Sequence, residues 1–194
     1  MSNQQEKLNA MTDRELRLNL YITQGIILFV SGVLSYWLFG RFSAMVSLFQ
    51  WEPAVIVGLG GAAAFLIVFI DYIAIKMLPE SWFDDGGVND RIFRGISISH
   101  LAAITLLIGF AEELLFRGII QTHFGLGYAS ILFAVLHIRY IKKPFLFVFV
   151  LLISISFGYL FAWTGNLLVT IFAHFLVDFI MGLHLRGETK DEDV

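Results

Sequence analysis

The sequence predicts an all-α protein: a polytopic transmembrane helix bundle of about six spans, with both termini cytoplasmic. Three observations predict it. The chain is 58% hydrophobic and only 15% charged, whereas a soluble domain is nearer half apolar and a quarter charged. The apolar residues are gathered into long runs, as a bilayer requires. The basic residues fall almost wholly on one side of the topology that these runs define. At 194 residues the chain has the size of one domain.

Each element follows in order. Residues 1–19 form a polar head of mixed charge. The first apolar run, 20–40, is too long for a signal-peptide core and is not followed by a small-x-small cleavage pattern, so it reads as a retained span. A weakly polar connector, 42–51, is expected at the interface. The second run, 54–75, opens on "GLGGAAA" (58–64), whose small residues predict close helix packing. Asp71 lies near its cytoplasmic end and is expected to snorkel to the membrane edge. The longest polar loop, 79–95, carries Asp84-Asp85-Gly86-Gly87 as a turn signal. Runs at 96–124, 128–140, 145–163 and 166–185 complete the set. The fourth is short, and reaches about 24 Å only if its helix continues to Lys143. Residues 186–194 are a short acidic tail.

Lys7, Arg14, Arg17, Lys76, Arg91, Arg94, Arg139, Lys142, Lys143, Arg186 and Lys190 all fall on one side of a six-span topology. Arg41 falls on the other side, and Arg117 lies within a span. By the positive-inside rule, the crowded side is cytoplasmic. The absence of cysteine excludes disulfides, thiolate chemistry and cysteine-held metal. A net charge of −3 leaves no basic footprint for nucleic acid.

The informative residues are the charges inside the spans: Glu112, Glu113 and Arg117 in the third, His137 in the fourth, His174 and Asp178 in the sixth. A charge at the bilayer centre costs about 2.5–3.5 kcal/mol on insertion scales. A chain that only needed to span would use leucine. Glu113 and Arg117 are four apart, so they share a helix face and can pair. Glu112 is turned about 100° away and has no cation on its own face. That leaves it as the candidate acid for proton transfer. His174 and Asp178 share a face, as do Phe133 and His137. Counted from the outer span ends, Glu112, His137 and His174 all lie about 12–18 Å deep, near the midplane. Three such groups at one depth on three helices predict one shared cavity.

These residues form an ordered pattern: Glu112-Glu113-x-x-x-Arg117, then Phe133-x-x-x-His137, then His174-x-x-x-Asp178. The pattern resembles the three motifs of the CAAX protease and bacteriocin-processing (Abi, lysostaphin-resistance-like) family of intramembrane proteases. Phe116-Arg117-Gly118 fits as well. The resemblance covers 96–185, which it marks as a catalytic helical core, with 20–95 as two accessory helices and their loops. It implies an intramembrane endopeptidase. In that family, the residues matching Glu112 and His137 activate a water, and those matching His174 and Asp178 stabilise the oxyanion. Glu113, Arg117 and Phe133 would then be supporting. The family usually has asparagine or aspartate at the last motif position, and this chain has Asp178. An ionised aspartate cannot donate to an oxyanion, so Asp178 is expected to orient His174 by accepting its N–H.

Glu112, His137, His174 and Asp178 would also be a chemically competent zinc set, so the resemblance leaves zinc and a metal-free glutamate mechanism both open. Signatures of other intramembrane proteases are missing: His-Glu-x-x-His, the rhomboid-type Gly-x-Ser-Gly and the presenilin-type Gly-x-Gly-Asp. The resemblance further implies a peptide or membrane-protein substrate, prenylated CAAX proteins among the options, and a multi-pass protein of a bacterial cell membrane. Two other classes are open to an intramembrane acid–histidine set. A non-catalytic immunity or scaffold protein could keep the fold, though the intact motif set speaks against it. A proton-coupled transporter would use such groups as a proton path, but no inverted repeat accompanies them.

Overall fold

A computed structural model describes residues 10–83 and 85–188. Lys7, Lys190, Asp84 and the outer parts of the predicted head and tail lie outside the described residues. Among those described, the chain is helical, with no strand. The main elements are α1 (Asp13–Leu38), α2 (Pro53–Met77), the short α3 (Val88–Phe93), α4 (Ile98–Glu113), α5 (Leu126–Leu136), α6 (Pro144–Thr164) and α7 (Leu167–Glu188). All six apolar runs are therefore helical. Four helices, α1, α2, α6 and α7, are long and apolar enough to cross a membrane.

Local chemistry sets the helix ends. Thr12 and Glu15 close a reciprocal capping box at the start of α1. Pro53 and Pro144 occupy first-turn positions of α2 and α6, where a missing N–H costs nothing. Gly165, at φ +62°, ends α6 in the left-handed conformation that glycine tolerates best. The polar loop at 79–95 is not merely a loop. Asp85 accepts from the N–H groups of Val88 and Asn89, starting α3. Val88, Ile92 and Phe93 of α3 are buried together with Leu16, Leu101, Ile104 and Ile108.

The bundle is built with its polar groups inward. Leu18, Ile22, Ile26, Phe29 and Trp37 of α1 are exposed, whereas Gln24 and Ser31 are buried. Lipid can solvate the first set but cannot hydrogen-bond the second. Asp71 is also buried, within electrostatic reach of His184 on α7. The connector after α1 clamps the start of α7. Asn166 Nδ2 donates to the Gln50 carbonyl at 2.7 Å, and Leu167 N to the Leu48 carbonyl at 2.7 Å.

Two expectations about helix form are corrected. First, α5 does not run on to Lys143. It ends at Leu136, giving about 16 Å of helix. His137 leaves the helical region at ψ 59°, and its Nδ1 donates to the Phe133 carbonyl at 2.8 Å. The side chain thereby takes the acceptor that the next helical N–H would have used. Pro144 then disfavours a helical Lys143, which adopts φ −119°, ψ 85°. Second, α4 continues past Glu113 as a π-helix, Leu114–Gln121, every residue of which is buried. A shorter π segment, Ile56–Gly60, opens α2. Such widened turns are rare and occur often at functional sites.

Close approach of α2 to α7 depends on Gly60, as the small-residue run suggested. A Cβ there would lie 2.8 Å from the Val169 carbonyl oxygen, a main-chain atom that cannot rotate away. Gly61 has nothing within 4 Å of the same position. Gly60→Val should therefore push the helices apart and cost about 1–3 kcal/mol. Thermal unfolding in detergent should show a melting temperature several degrees lower for Gly60→Val and little changed for Gly61→Ala. Equal effects from the two would refute this packing account.

Candidate active site

The site is assembled where α4 meets α7. Gly109, one turn before Glu113, makes the approach possible: a Cβ there would stand 3.1 Å from the Phe175 nitrogen and 3.5 Å from His174 Cβ. Glu113, fully buried, then reaches both directions. Its Oε2 lies 3.3 Å from Arg117 Nε, the expected i,i+4 pair. Its Oε1 lies 2.9 Å from His174 Nδ1, a contact that the sequence reading did not anticipate. A carboxylate can only accept, so His174 donates from Nδ1.

Asp178 takes the other side of the ring, with Oδ2 3.5 Å from His174 Nε2. The expectation that Asp178 accepts the orienting N–H of His174 is thus corrected. Glu113 makes the short hydrogen bond and Asp178 flanks the opposite nitrogen at longer range. The four-residue spacing that let Asp178 share a face with His174 holds, but the fixed partner comes from another helix.

Arg117 is buried to 1% exposure. Its Nη2 donates to the Ser154 carbonyl at 3.0 Å and to Ser154 Oγ at 3.2 Å, tying α4 to α6. Its guanidinium also lies over the Phe133 ring, 4.9 Å from the centroid. Phe133 is a hub: it also meets Phe116 edge-on at 4.9 Å, His137 at 4.5 Å and His174 at 6.4 Å between centroids. Phe157 of α6 covers His174 at 5.4 Å.

His137 sits at the C-terminal end of α5, half-buried. Because Nδ1 donates to the Phe133 carbonyl, a neutral His137 presents Nε2 as an acceptor. Its ring is stacked on Tyr140 at 5.9 Å. Tyr140 is held in turn by Asn89 of α3, which Arg139 and Asp85 support. The helix formed by the polar loop thus buttresses the segment that carries His137.

Glu112 is half-buried and, among the described residues, makes no salt bridge, but it is not unpartnered. Gln24 of α1 donates from Nε2 to Glu112 Oε1 at 3.1 Å. Glu112 also lies within electrostatic range of His174 and Asp178. Among the described residues, no group of three or more His, Asp or Glu stands close enough together to hold a metal ion. His174 Nδ1 bonds to Glu113, His137 Nδ1 to a main-chain carbonyl and Glu112 Oε1 to an amide.

Gln24, Ser154, Phe157 and Tyr140 escaped a search for ionisable residues. Gln24 and Ser154 carried a signal all the same, because each is a polar group within an apolar run. Phe157 and Tyr140 carried none, since aromatics are abundant in every span.

Comparison with known proteins gives the family. Residues 94–180 match the Type II CAAX prenyl endopeptidase Rce1-like family. Over 178 residues, the chain is 39% identical to the uncharacterized protein YpbD of Bacillus subtilis (strain 168), covering 89% of this chain and 94% of that protein. No solved structure matches the chain. The three motifs fall inside the matched span, on the helices that meet around Glu113 and Phe133, and the chain belongs to the Rce1-like family of type II CAAX prenyl endopeptidases, membrane-embedded proteases that act on peptide or protein substrates.

Proposed function

We propose that the protein is a multi-pass intramembrane endopeptidase of the cell membrane, with both termini cytoplasmic, in which Glu112 and His137 activate the water that attacks a peptide bond. The observation that carries this reading is the division of labour between adjacent glutamates. Glu113 is spent on Arg117 and His174, while among the described residues the one hydrogen bond to Glu112 comes from a neutral amide, on Oε1. Its second carboxylate oxygen is free to take a proton.

Held between Glu112 Oε2 and His137 Nε2, a water has both hydrogens accepted and a lone pair left to attack. Its oxygen bonds to the scissile carbonyl carbon, and one proton passes to Glu112. The carbonyl oxygen becomes an oxyanion. His174 can stabilise it from Nε2, provided that nitrogen carries a proton. The Glu113 and Asp178 carboxylates flanking the ring compensate the resulting charge. Collapse breaks the C–N bond, and the proton held by Glu112 goes to the leaving amine. No step requires a metal.

Purified protein should cleave members of a fluorogenic peptide panel that includes prenylated and unprenylated substrates. Glu112→Ala and His137→Ala should each reduce kcat by on the order of 100-fold or more, and chelator should leave the wild type unaffected. Cleavage that survives Glu112→Ala would sink the proposed site. Chelator-sensitive activity restored by zinc would replace the metal-free mechanism.

Asp178→Asn should retain substantial activity, since asparagine keeps a polar group facing His174 Nε2, while Asp178→Ala should lose most of it. An equal loss in both, read as kcat, would mean that the carboxylate itself is obligatory.

Glu113→Leu alone should cost about 3–5 kcal/mol, because it strands Arg117 as a buried charge. Glu113→Leu combined with Arg117→Met should recover thermal stability. It should still leave kcat down by on the order of 100-fold, because His174 has lost the acceptor that orients it. Full activity in the stable double variant would show that the pair serves folding only.

A further inference from the structure

Gln24 lies in the first span, far outside the matched residues 94–180. It is 4% exposed, and among the described residues its amide is the one hydrogen-bond donor that reaches Glu112. The neighbouring cation does not take this place: Arg117 bonds to Glu113 through Nε and to Ser154 on α6 through Nη2. The contact joins two helices 88 residues apart in sequence. Glu112 can otherwise rotate about its own side-chain bonds, and a half-buried carboxylate without a fixed donor has no preferred oxygen to present.

An ordinary packing role would look different. Ser31, on the same buried face of α1, satisfies itself within its own helix by donating to the Ile27 carbonyl. Gln24 instead donates from Nε2 to Glu112 on α4, and among the described residues its buried Oε1 has no hydrogen-bond donor. Leaving a buried amide oxygen in that condition works against stability. A residue selected for packing alone would be apolar, as its lipid-facing neighbours are. The cost makes sense if the Nε2 bond to Glu112 is the purpose.

We infer that Gln24 is a positioning residue of the active site: its amide pins Glu112 Oε1 so that Oε2 is presented to the attacking water. The first span is therefore part of the catalytic apparatus, and the matched core is incomplete without it. The inference rests on the role proposed for Glu112.

The test uses the full-length protein and the fluorogenic peptide that the wild type cleaves best. Gln24→Leu should melt at or above the wild-type temperature, because it removes an unsatisfied buried amide. Its kcat should fall about 10- to 100-fold through misplacement of Glu112, with KM within about twofold. Gln24→Glu can donate only while protonated, so its activity relative to wild type should decline as pH rises. A Gln24→Leu protein with wild-type kcat, alongside an inactive Glu112→Ala protein, would overturn the inference and leave the proposed function standing. So would a loss of activity in Gln24→Leu that merely tracks a loss of thermal stability. Activity surviving Glu112→Ala would overturn the proposed function, and the inference with it.

Discussion

Glu113 is a full negative charge buried in the centre of an apolar bundle, and most of the site follows from the need to compensate it. Burying an isolated carboxylate would cost several kcal/mol even after relaxation. Arg117, one turn along, supplies the counter-charge at 3.3 Å, and His174 on α7 supplies a hydrogen bond at 2.9 Å. Arg117 is itself fully buried and needs its own acceptors, which it finds on Ser154 of α6. One carboxylate thereby fixes the mutual placement of α4, α6 and α7. The same bonds orient the histidine to which the family pattern assigns oxyanion chemistry.

Around that charge, aromatic faces do what water cannot. Phe133 carries the Arg117 guanidinium on one side and touches both histidines, and Phe157 closes over His174. Such faces partly compensate a cation without admitting solvent. The polar interior extends outward through Gln24 to the first span and through Tyr140 and Asn89 to the helix after the second. The elements before residue 94 therefore wrap the core and supply side chains to it. The outside of the bundle is the reverse, with large apolar side chains facing outward along α1, α2 and α6.

Much of the site was legible in the sequence because the membrane makes polar residues conspicuous. The pairing of Glu113 with Arg117 and the shared face of Phe133 and His137 followed from helical spacing alone. The missed hydrogen bonds to the two glutamates both cross between helices. Glu113 to His174 joins residues 61 apart, and Gln24 to Glu112 joins residues 88 apart. Restricting attention to ionisable groups also hid Gln24, whose amide is neutral. The end of α5 was misjudged because hydropathy continues past Leu136, whereas the His137 side chain and Pro144 interrupt the backbone.

By itself the sequence determined the class of protein: an all-helical membrane bundle with a few charges set inside its apolar runs. Hydropathy and local spacing suffice for that, because lipid penalises every unsatisfied polar group independently of the rest of the fold. The spacing also set Glu113 against Arg117 and left Glu112 without a partner on its own face. Only the tertiary structure showed that Glu113 also meets His174 and that Glu112 meets Gln24, because helix register and rotation are set by packing. The close approach at Gly109 brings His174 to Glu113, and the inward face of α1 brings Gln24 to Glu112.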